Sequence, residues 1–166
     1  AIDAAIKKFG YAMYIDLHGQ SHPVKRLELG YFLSTTALKE VQESSETSSE
    51  LGAKTSVKNL LENNNQLTLK ELLMGENAFG TLMEKSGFPA VPSLGDPYPQ
   101  KGEPYFNGGY NTRRYTSSDY PKVFDMQMET NFQGVRDSEE NRKKFSKAFA
   151  QSVTSYLDFI KSKWDY

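Results

Sequence analysis

The apolar run Tyr11-Ala-Met-Tyr-Ile-Asp-Leu17 constrains the fold of this chain more than any other segment. It reads as a strand buried on both faces, and Asp16 and His18 stand two residues apart at its end. Side chains two apart on a strand point the same way, so these two share a face. In open α/β sheets, ligands collect at the carboxyl ends of the strands. The segment therefore predicts both a central strand and the position of a site.

A chain of 166 residues, 37% hydrophobic and 25% charged, is long enough for one domain with its own core, covering 1–166. The formal net charge of -1 gives no ground for a nucleic-acid partner or an acidic membrane surface. No apolar stretch approaches the roughly 18 residues that a membrane span needs. Without cysteine, neither a disulfide framework nor a thiolate metal site can form. A start at Ala1-Ile-Asp-Ala-Ala5 reads as a processed or cut end rather than as a signal peptide.

Helical and extended patterns alternate along the chain. Residues 3–9 read as a helix stopped by Gly10, followed by the strand 11–18. Leu27, Leu29 and Tyr31 alternate with Arg26, Glu28 and Gly30, which predicts a second strand within Val24 to Leu33. Glu43 to Glu50 is a polar loop by composition. Val57 to Glu62, Leu69 to Met74 and Phe79 to Glu84 carry apolar residues at three- and four-residue spacing and read as short helices. Five of the seven prolines fall between Gly87 and Pro104, which predicts a long surface loop.

Val123 to Asn131 alternates, with Phe124, Met126 and Met128 on one face and Asp125, Gln127 and Glu129 on the other. From Ser138 onward Phe145, Ala148, Phe149, Val153, Tyr156, Leu157 and Ile160 form one helical stripe, with Asp137 and Glu140 as a variant capping box. Strands alternating with helices, without tight hairpin signals, predict a parallel or mixed α/β sheet packed by helices.

Several residues carry candidate chemistry. A neutral imidazole binds zinc well, and its other nitrogen needs a partner, which Asp16 or a backbone carbonyl supplies. Asp-x-His alone is equally consistent with a hydrogen-bonded histidine at a strand end. His22, beside Pro23 in a turn, reads as a surface histidine or one that supports a site from behind. Glu129 is a candidate general base if it faces the same crevice as His18, and otherwise belongs to a solvated sheet face shared with Asp125 and Gln127. In Tyr105 to Arg114 two glycines permit close backbone approach, while Arg113 and Arg114 offer forked donors to a carboxylate or form a solvated surface pair. Glu28 reads as a partner for Arg26 or Arg113, with no role assigned.

Ile15-Asp-Leu-His-Gly19, His22-Pro23, Arg26-Leu-Glu-Leu-Gly30, Tyr105 to Arg113, Met126 to Asn131 and Gly134 to Asp137 occur in order over almost the whole chain. As an ordered set they resemble the N-formylglutamate amidohydrolase family. That family is similar to the zinc carboxypeptidases, and the resemblance implies a mixed, largely parallel sheet, one zinc ion, and hydrolysis of an amide next to a carboxylate in a small acidic or peptide-like substrate. It further implies that His18 is the third zinc ligand, that Glu129 activates the water, and that Arg113 and Arg114 help hold the substrate carboxylate. Asp16 and His22 then support the site from behind.

Two departures accompany the resemblance. Gln20 stands where family members often carry a second histidine. The family's other two zinc ligands, a histidine and a glutamate, precede the Asp-Leu-His strand and have no counterpart in this sequence. The chain is thus expected to be the C-terminal part of the catalytic domain, metal-free or weakly metal-binding by itself, with its missing N-terminal part as a partner. A metal-free binding or structural module that kept the fold is the alternative, as is an aminoacylase- or carboxypeptidase-like hydrolase of another amide. The aromatic stretch Tyr98 to Tyr120 also suits a carbohydrate or peptide binder.

Overall fold

A computed structural model describes residues 1–44 and 49–163. Four strands, β1 (Ala12–Gln20), β2 (Leu27–Gly30), β3 (Ala90–Val91) and β4 (Val123–Asn131), form one mixed sheet in the order β1-β4-β2-β3. β4 runs parallel to β1 and antiparallel to β2, and β2 runs parallel to β3. The mixed, largely parallel α/β sheet read from the sequence is the observed fold class. No helix among the described residues is long and apolar enough to cross a membrane.

The helices are α1 (Ile2–Phe9), α2 (Thr35–Glu43), α3 (Ser49–Ala53), α4 (Lys58–Glu62), α5 (Leu69–Met74), α6 (Phe79–Lys85), α7 (Tyr110–Tyr115) and α8 (Glu139–Ser162). The three short helices expected between 57 and 84 are α4, α5 and α6. Of the expected polar loop 43–50, residues 45–48 lie outside the described residues, while Glu43 ends α2 and Ser49 begins α3.

Period-two alternation separates the two faces of the sheet. Phe124, Met126 and Met128 of β4 join Leu27 and Leu29 of β2 in a core with α5, α6 and α8. Phe79 of α6 meets Tyr156 and Phe149 of α8 edge-on. The stripe expected on α8 is the one it buries, through Phe145, Ala148, Tyr156 and Ile160. Its cap differs from the expectation. Ser138 accepts from the Asn141 N–H, while Asp137 accepts from Gly134 N and the Asn141 side chain, which holds its carboxyl below the usual range. Serine wins because its hydroxyl sits where the first turn leaves an orphan N–H.

Two further expectations are corrected. β1 lies at the edge of the sheet and, rather than being buried on both faces, is mostly only partly buried, with Leu17 and His18 exposed. The proline-rich segment is not only a surface loop, because Ala90–Val91 is buried as β3. Buried Arg26 pins this segment, its Nη1 lying 2.9 Å from carboxylate oxygens of both Asp96 and Glu103.

Candidate functional site

Register puts the site together. Glu129 of β4 is paired with His18 of β1 on one side and with Glu28 of β2 on the other, so three ionisable residues form a row across the sheet. Directly opposed residues share a face, with Cβ atoms about 5 Å apart. This row lies on the face opposite the core, two residues along from Asp16 and Gln127, which are themselves paired.

Asp16 and His18 meet as their spacing predicts: His18 Nε2 is 3.0 Å from Asp16 Oδ1. Nδ1 has no hydrogen-bond partner among the described residues, and the ring is nearly half exposed. An imidazole held at one nitrogen by a carboxylate and open at the other is the arrangement that metal-ligating histidines use. The hydroxyl of Thr130 donates to the His18 carbonyl at 2.9 Å, and Arg136 donates to the carbonyls of Thr130 and Gln20, tying together the ends of β1 and β4.

Glu129 is only 6% exposed, so it does not belong to a solvated part of the sheet face. Burial pushes its carboxyl above the usual range and the neighbouring Glu28 charge adds to the rise, while His18 and a 2.9 Å hydrogen bond from Gln127 Nε2 oppose it. A buried carboxylate beside a histidine, with its pKa raised, suits a general base.

Glu28 is fully buried and does not pair with Arg26 or Arg113. Its Oε1 lies 2.7 Å from His22 Nδ1, and its Oε2 accepts the Phe106 N–H at 2.8 Å. His22 is therefore drawn out of its turn and onto the site face. Gln20 helps place it, accepting the His22 N–H and donating to the Arg26 carbonyl.

The segment Tyr105 to Gly109 lies across the same face. The Tyr105 hydroxyl donates to the Leu29 carbonyl at 2.5 Å. A Cβ on Gly30 would overlap the backbone of Asn107 and Gly108, and one on Gly109 would strike Gln127. The two glycines are what allow loop and sheet to touch. α7 follows, its Tyr115 ring 4.8 Å from that of Tyr14. Arg113 rests on the face of Phe32, 4.4 Å from the ring centre. Arg114 pairs with Asp119 at 2.6 Å and lies over Tyr120. The structure thus brings Asp16, His18, His22 and Glu129 to one face, and gives neither arginine a hydrogen bond or ion pair to them.

Glu28, Gln127 and Phe106 are site residues that sequence reasoning missed. Gln127 was within reach, since it precedes Glu129 by two in an alternating strand. Among the described residues, no group of three or more His, Cys, Asp or Glu is gathered as a metal site. No protein-family model, curated protein or solved structure matches the chain.

Proposed function

We propose that the face carrying His18 and Glu129 belongs to a zinc-dependent hydrolase that cleaves an amide next to a carboxylate, in the manner of the N-formylglutamate amidohydrolases that the sequence motifs resemble. One observation carries the reading. His18 is fixed through Nε2 by Asp16 with Nδ1 left open, and it is the strand neighbour of a buried carboxylate whose pKa is raised.

The donor set fits the metal in part: His18 Nδ1 offers one ligand, and the remaining ligands of a three-ligand catalytic site come, on this reading, from a further polypeptide segment. When bound, zinc supplies polarisation of the amide carbonyl and a more acidic water. The chain's own residues do the rest. Asp16 orients the His18 ring. Glu129 removes the proton of the attacking water, its raised pKa matching that task. Gln127 holds the Glu129 carboxylate in place. Of the two arginines, Arg113 rests on Phe32 without an ion-pair partner among the described residues and so is the one free to receive the substrate carboxylate, since Arg114 is already paired with Asp119.

Acidic N-acyl amino acids and their carboxamides distinguish this reading from others. The zinc-loaded holoprotein is expected to hydrolyse the acids, to bind the carboxamides poorly, and to lose activity to a chelator. Arg113→Ala should weaken binding of the acids by about 1.5–3 kcal/mol, the range for hydrogen bonds to charged groups. Equal use of acid and carboxamide would remove the carboxylate from the proposal.

A further inference from the structure

His22 is held at three points. Its backbone N–H is taken by Gln20, its Nδ1 lies 2.7 Å from Glu28, and its ring stacks on Phe106 with centroids 4.7 Å apart and an 11° interplanar angle. One atom is left over. Nε2 has no hydrogen-bond partner among the described residues, and about a fifth of the side chain remains exposed. A structural histidine in a turn does not need a fully buried carboxylate on the central strands to fix its tautomer. A histidine that exchanges a proton through Nε2 does, because the carboxylate keeps Nδ1 protonated and stabilises the imidazolium.

The position is as informative as the bonding. Glu28 is the cross-strand partner of Glu129, so the imidazole it holds lies on the Glu129 side of the sheet. His18 is paired with Glu129 from β1, while Glu28, which holds His22, is paired with it from β2. The candidate base therefore stands between an open imidazole that suits a metal and a second one backed by a carboxylate.

We infer that Glu28 and His22 form a carboxylate–imidazole dyad that delivers the proton to the leaving nitrogen. The inference rests on the amide-hydrolase reading and divides its proton transfers between two groups. Glu129 takes a proton from water as the water oxygen bonds to the carbonyl carbon. When the tetrahedral adduct collapses, the C–N bond breaks and its electron pair stays on nitrogen, which takes the proton from His22 Nε2. The neutral imidazole left behind keeps its Nδ1 proton, hydrogen-bonded to the Glu28 carboxylate. Glu129 then releases its proton to solvent and His22 takes one up, so the net change is water plus amide to acid plus amine. Glu28 acts through His22 and is a positioning residue.

The test uses two substrates of the holoprotein that share an acyl group: an N-acyl amino acid, whose amine must be protonated to leave, and the acyl ester of a hydroxybenzoate, whose phenolate need not be. His22→Gln should lower amide turnover by about a hundredfold or more and ester turnover by only a few-fold. Free imidazole should restore amide turnover to His22→Gly. Equal loss on both substrates would assign His22 a structural role and overturn the dyad alone. A wild type that hydrolyses neither substrate overturns the hydrolase reading and the dyad with it. Nitrogen-15 spectra of the histidines provide a check that needs no turnover. Wild type should show His22 protonated at Nδ1, and Glu28→Gln should change that signal. An Nδ1 without a proton in wild type would overturn the dyad even where the His22 variants fail to fold.

Discussion

Glu129 shows how much of the site's chemistry is decided at a single side chain. Burial raises its pKa and the Glu28 carboxylate adds to the rise, whereas His18 and the Gln127 amide work in the opposite direction. A general base acts only when deprotonated, so the acid limb of kcat/KM should lie above the ordinary carboxylate range. Gln127→Met keeps the length of the side chain and removes the donor. The carboxylate then loses a bond that favours its charged form, its pKa rises further, and the acid limb moves to higher pH. A pH profile of the holoprotein measures this, and a limb that stays in place would mean that Glu129 is not the group being titrated. Asp16 and His18 were legible because spacing of two on a strand settles which side chains meet. Glu28 was not legible, since its importance comes from the β2–β4 register, which no local pattern encodes.

Among the elements, those with a continuous apolar pattern were readable and those built on few buried residues were not. β4 and α8 were found from periodicity because each buries a full stripe. α2 buries only Leu38 and Val41, and α7 only Thr112, so neither leaves an apolar period to detect. β3 is two residues long and is held by pairing with β2. The edge position of β1 was hidden by its own composition: Met13 and Ile15 are apolar because they face Phe149, Val153 and Leu157 of α8, and Tyr14 because its ring meets Tyr115. The loop before α7 is placed by contact with the sheet, and that contact can be broken directly. Gly30→Ala should push Asn107 and Gly108 off β2 and destabilise the fold by about 1–3 kcal/mol, the usual cost of overpacking. Urea denaturation gives the number, and wild-type stability would show that the loop has room to move away.

At the scale of the whole molecule, the site lies toward an open edge of the sheet. Among the described residues, no strand pairs with the outer side of β1, and Phe9 and Leu17 are exposed beside an apolar groove lined by Met13, Ile15, Phe149, Val153 and Leu157. Exposed apolar surface along a free strand edge invites further pairing. His18 stands on that same edge strand with one nitrogen open, and among the described residues no group of three or more metal-type ligands is gathered around it. The fold class could be read from the sequence because alternating strands and helices leave few architectures, whereas the row of His18, Glu129 and Glu28 could not, since it depends on a pairing register that local patterns do not encode. In the proposed hydrolase Glu129 is the base beside a metal held by His18. The most direct test of that role is the amide turnover and zinc content of the Glu129→Gln holoprotein beside wild type. Turnover about a hundredfold lower or less still, with zinc retained, is the predicted result. Unchanged turnover would contradict it.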